Sequence, residues 1–83
     1  MTTTTVYVVT ELWEGDGMSG TPLAVYRDRD QANAHCRQHV ADHATDWDLP
    51  LLDETQNGLA HFEADAPYSH RRSSAMVTRL ELL

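Results

Sequence analysis

The chain has 83 residues and a mass of 9.4 kDa, enough for one domain with a radius of gyration of about 12 Å and too little for a second. Hydrophobic residues at 41% supply one thin core. No apolar run approaches the roughly 20 residues of a membrane span, and the single cysteine, Cys36, excludes an intramolecular disulfide or a thiolate zinc cluster. The net charge of −7 comes with six arginines and no lysine, and residues 28–65 carry nine acids against Arg29 and Arg37, which repels phosphate backbones and disfavours direct nucleic-acid binding. With no charged segment leading into an apolar stretch at the start, these features predict a protein of a reducing, cytoplasmic compartment that does not engage a membrane.

Residues 1–5 read as a flexible tail. Val6 to Trp13 is rich in β-branched and aromatic residues and predicts the first strand. Leu23 to Tyr26 predicts a second, and Gly15, Gly17, Gly20 and Pro22 between them fit a hairpin loop. Asp28 followed by Gln31 forms a capping-box pattern that starts a helix, with Asp30 in its first turn. At 100° per residue, Ala32, Cys36, Val40, His43 and Trp47 share one arc, so this face is expected on the sheet. Leu49-Pro50 is expected to stop the helix, because a residue preceding proline avoids the α region. Asn57-Gly58 is a tight-turn dipeptide that closes a small hairpin onto a strand at 59–64. The stretch 65–74 reads as a loop, and 75–82 alternates Met76, Thr78, Leu80 and Leu82 against Ala75, Val77, Arg79 and Glu81 as a closing strand.

The run Val6-Tyr7-Val8-Val9, the Gly-rich gap, Val25-Tyr26, Asp28 leading into Ala32-Asn33-Ala34, Asn57-Gly58-Leu59 and the alternating last strand together resemble small uncharacterised ββαββ proteins found in fungi and bacteria. The resemblance implies an order of elements and no activity. Pattern and resemblance lead to one expectation: an α+β fold with a four-stranded, mainly antiparallel sheet and one helix packed on one face.

Chemistry-bearing arrangements are few. Gly15-Asp16-Gly17-Met18-Ser19-Gly20 matches G-x-G-x-x-G, but it leads through Thr21-Pro22 into a strand rather than into a helix N-terminus, so the dinucleotide context fails. Cys36 falls on the core face, where a thiol behaves as a small hydrophobe. Ser69-His70 is adjacency without triad geometry. Arg71-Arg72-Ser73-Ser74 has the form of a basophilic kinase site, and His70-Arg71-Arg72 is the only basic cluster. No constellation supports an enzyme, and none calls for a cofactor. His35, His39 and His43 recur one turn apart with Asp46 nearby, a spacing capable of holding zinc, nickel or copper if another element adds a ligand. Asp42, Asp46 and Asp48 form an acidic patch at the helix end, where the macrodipole disfavours anions.

The first strand is apolar on both sides, with Val6, Val8 and Leu12 opposed to Tyr7, Val9 and Trp13. One helix covers one face only. The other is expected to carry Tyr7, Val9 and Trp13 to a protein partner or a second copy, making the chain a small interaction module. The alternatives are an acidic, phage-type inhibitor that occupies a nucleic-acid-binding channel of a host complex, and a metal-binding protein built on the histidine ladder.

Overall fold

A computed structural model describes residues 3–12, 20–66 and 71–82. It is α+β: a helix lies on one side of a five-stranded antiparallel sheet. The strands are β1 (Thr4–Leu12), β2 (Gly20–Tyr26), β3 (Leu52–Asp53), β4 (His61–Ala66) and β5 (Arg71–Leu82), and the helix α1 (Arg29–Asp46) follows β2. Their order across the sheet is β2-β1-β5-β4-β3.

Three expectations need correction. The sheet has five strands rather than four, because Leu52 and Asp53 pair with Glu63 and Phe62 across the expected Asn57-Gly58 turn. Both turn residues have positive φ, 55° at Asn57 and 76° at Gly58, the type I′ geometry whose twist matches paired strands. β5 begins at Arg71, since Ala66 and Asp65 of β4 pair with Arg71 and Arg72 in what read as loop. The expected tail is partly strand: Thr4 and Thr5 are β-branched and pair with Leu82 and Glu81.

The helix starts as its sequence dictates. Asp28 is extended, and its carboxylate accepts from the backbone N–H groups of Asp30 at 2.7 Å and Gln31 at 3.3 Å. It stops by a different device from the one expected. Asp48 takes the left-handed conformation with φ 54°, its N–H donates to the Thr45 carbonyl, and the Leu49 N–H donates to the Ala44 carbonyl at 2.8 Å. This is a Schellman motif closed before Pro50 is reached, and it turns Leu49 back onto the core.

The core lies between α1 and the sheet. Ala32, Cys36, Val40 and Ala44, one turn apart, meet Val9 of β1, Phe62 and Ala64 of β4, Ala75 and Val77 of β5, and Ala60. Nearly all are small, and Phe62 alone is large. His43 and Trp47, expected on the same arc, are half-buried at its rim. Asn33 fastens the helix to the β3–β4 turn. Its amide nitrogen donates to the Gly58 carbonyl at 2.8 Å, and its amide oxygen accepts from the Ala60 N–H at 3.0 Å.

Candidate interaction surface

Antiparallel register assigns every strand residue to a side. Val9 opposite Val77, and Phe62 opposite Ala75, face the helix. Val6 opposite Leu80, Val8 opposite both Val25 and Thr78, and Thr4 opposite Leu82 therefore face away from it. The side expected to be open is the covered one. Val9 is fully buried in the core, and Tyr7 is half-buried against it, so neither serves as an exposed docking residue in this fold. Trp13, the third residue expected there, lies outside the described residues.

On the side that no described element covers the apolar groups are more open, Val25 at 60% exposed, Leu82 at 51%, and Leu80 and Leu52 at 45% each, although Val6 at 8% is buried. Val25, Leu80 and Leu82, with Val6 and Val8 between them, form a stripe interrupted only by Thr4 and Thr78, with no ionisable group in it; Leu52 stands apart, paired with Glu63 of β4. The charged groups of this side sit further along β4 and β5, where Glu63 and Arg72 pair at 2.9 Å. Ser74 Oγ is buried there without a hydrogen-bond partner among the described residues.

The stripe continues onto an arm. β2 reaches only as far as Tyr7 of β1, and β4 only as far as Met76 of β5. Beyond them Thr4–Val6 and Leu80–Leu82 pair, among the described residues, only with each other. A two-stranded ribbon is marginal in water unless one of its faces is covered. It also draws the molecule out to 51 × 27 × 19 Å with a radius of gyration of 13.5 Å.

The other candidate residues belong to the helix side. His35 Nδ1 and the Tyr26 hydroxyl are hydrogen bonded at 2.8 Å, His39 Nε2 donates to a Glu11 carboxylate oxygen at 2.7 Å, and His43 Nδ1 is hydrogen bonded to Ser73 Oγ at 3.0 Å. The ladder thus pins α1 to β2, β1 and β5 in turn, three consecutive strands of the sheet. The His39 and His43 rings meet edge to face with centroids 5.1 Å apart, and His43 stacks on Trp47 at 5.0 Å. Asp46 is exposed and does not join them. Among the described residues no three His, Cys, Asp or Glu side chains converge as a metal site.

Asp42, Asp46 and Asp48 are all exposed, and Asp42 accepts from the Gln38 amide at 2.6 Å. The acidic patch and the charge-free stripe therefore belong to different layers. Ser73 and Ser74 are buried, which closes them to a kinase. Gly20 lies in β2, where an added Cβ would stand 2.6 Å from Thr10 Cγ2 and 2.8 Å from the Glu11 carbonyl oxygen; its smallness serves strand packing. Gly15, Gly17, Ser69 and His70 lie outside the described residues. Burial pushes the Cys36 thiol up to about 11, which suits a packing residue and not a nucleophile.

Sequence reasoning missed Val25, Leu80 and Leu82 as the exposed apolar residues of the sheet. The signal was available in the 75–82 alternation, which sets small Ala75 and Val77 against larger Met76, Leu80 and Leu82. No helix among the described residues is long and apolar enough to cross a membrane. No protein-family model, curated protein or solved structure matches the chain.

Proposed function

We propose that the protein is an interaction module that self-associates through the uncovered side of its sheet. The observation that carries this reading is an uncharged apolar stripe on a chain of net charge −7, in which Val25, Leu80 and Leu82 are exposed beside half-buried Val8 and buried Val6. A contiguous apolar surface of this kind usually marks a contact. Two copies of so acidic a protein meet most favourably where neither presents a carboxylate without an opposite charge to meet it, because like charges brought together are penalised. Sedimentation at micromolar concentration tests it. The expected species has twice the mass of the chain and persists in high salt, since apolar contacts are not screened. Leu80→Asp should return it to monomer while leaving the fold intact. A wild-type protein that stays monomeric at tens of micromolar defeats the reading.

The exposed carboxylates of Asp42, Asp46 and Asp48 support a second reading, an acidic inhibitor docking on a basic groove. That association would weaken steeply as salt is raised, the opposite of the first.

A further inference from the structure

We infer that two copies of the chain meet edge to edge, by antiparallel pairing of the Thr78–Leu82 segment of β5 with its own counterpart around a two-fold axis at Leu80. This rests on the reading that the protein self-associates, and it places the contact at the strand edge that borders the apolar stripe rather than on the face of the sheet. The Val77 N–H donates to the Ala60 carbonyl at 2.8 Å, so the Val77 backbone points towards β4. Backbone groups alternate along an antiparallel strand. Those of Thr78, Leu80 and Leu82 therefore point to β1, and the N–H and C=O of Arg79 and Glu81 point to the opposite edge, where no described residue pairs with them. An unpaired row of this kind is a template for another strand.

The side chains say which strand fits. With Leu80 on the axis, Arg79 of one copy stands opposite Glu81 of the other, and Glu81 opposite Arg79. In the single chain these two side chains, both exposed, already reach each other at 3.0 Å. Across the axis every cross-strand charge pair is of opposite sign, an arrangement that a copy of this chain in this register supplies. On the uncovered side the same register sets Leu80 against Leu80 and Leu82 against Thr78. Leu82 of the second copy is thereby aimed towards a pocket of roughly 200 Å³ beside the end of β4, lined in part by Leu59, His61, Met76 and Val77. The two sheets become one, and the apolar stripes join across the axis.

The other long edge is built to refuse such pairing. β2 carries Pro22 and an irregularity in register between Val9 and Thr10 that leaves Leu23 as an extra residue, and a proline with a bulge blunts an edge strand. The Thr78–Leu82 edge has neither, and its register with β1 is regular.

Charge reversal tests the register. Arg79→Glu and Glu81→Arg each place like charges opposite one another twice per dimer and should each raise the dissociation constant about tenfold. The double variant Arg79→Glu/Glu81→Arg should restore it. Arg79→Pro removes an outward N–H while sparing the bonds to β1, and should abolish the dimer with circular dichroism unchanged. Dissociation constants unchanged in all of these, together with a dimer broken by Val25→Asp on the far strand, would overturn the edge contact in favour of packing face to face, and self-association would stand. A wild-type monomer would remove both.

Discussion

The two sides of the sheet follow opposite rules. Towards the helix the side chains are small and fully enclosed: Val9, Ala64 and Ala75 leave no accessible surface, and Val77 leaves 1%. Away from it they are larger and half open, as Leu80, Leu82 and Val25 show. Small residues let a helix backbone approach a sheet closely, and each contributes little transfer energy, so the covered side depends on closeness of fit. The other side leaves large apolar groups about half accessible. Hydrophobicity alone therefore does not locate the core of this protein. Side-chain size does, because the helix offers only Ala32, Cys36, Val40 and Ala44 and can seat only on a surface equally flat.

The sharpest way to break this comparison is to truncate one large apolar residue on each side. Phe62 is the one bulky member of the covered cluster, and Phe62→Ala should destabilise by about 3–5 kcal/mol, transfer energy plus the cavity left among partners that have no volume to fill it. Leu80→Ala, 45% exposed in the single chain, should cost about 1 kcal/mol or less when unfolding is measured in urea at concentrations too low for association. Equal losses at the two positions would mean that both sides are core.

Much of the fold was legible in the sequence, for local reasons. Asp28 with Gln31 marked the helix start, and Asn57-Gly58 marked the turn, because capping and φ > 0 are properties of a few neighbouring residues. Which side of β1 meets the helix was not legible. Val6-Tyr7-Val8-Val9 is apolar at every position, so alternation carries no sign, and the choice is made by pairing with β5, about seventy residues away in sequence. The helix gave little help, since its apolar and polar side chains nearly cancel around the axis. The histidine ladder was legible as a spacing and misleading as chemistry. Partners on three strands, Tyr26, Glu11 and Ser73, take up its imidazoles, and only the topology brings them there. The two-residue β3 and the first turn of β5 were missed because neither run has a period long enough to read.

Cys36 sharpens the comparison by reporting how dry the covered side is. Its thiol has no accessible surface, and burial raises its pKa from 9.0 to about 11. A raised value means that the native state holds a proton that the unfolded chain gives up at lower pH. The associated stability is therefore complete below about pH 9 and is lost as pH rises through about 11. Two pH units amount to on the order of 2 kcal/mol. Unfolding free energies from urea titrations between pH 8.5 and 11 should fall in the wild type by that amount more than in Cys36→Ala. Ellman's reagent should label the native thiol slowly and the unfolded one at once. Prompt native labelling, with matching pH profiles in the two proteins, would show that water reaches beneath the helix.

The smallest expected effect concerns how the rim of the covered side is closed. The turn at Asp48 carries Leu49 back against the cluster, yet Asp48 suits its position poorly on two counts. Its φ of 54° lies in the left-handed region that glycine adopts without steric penalty, and its carboxylate sits where the helix dipole is negative, an arrangement unfavourable by about 0.3–1 kcal/mol. Asp48→Gly relieves both and frees the unfolded chain somewhat, for a net gain of about 0.5–1 kcal/mol. Asp48→Asn keeps a residue tolerant of this conformation and removes only the charge, so it should gain less, and the gain should shrink in high salt. Asp48→Ala removes the charge but keeps the steric penalty, and should fall below Asp48→Asn. The predicted order, Gly above Asn above Ala in urea midpoint, separates backbone conformation from charge at one residue. A protein in which Asp48→Gly is the least stable of the three would show that the aspartate side chain holds this turn, and the Schellman account of how the helix seats on its small-residue face would have to be given up.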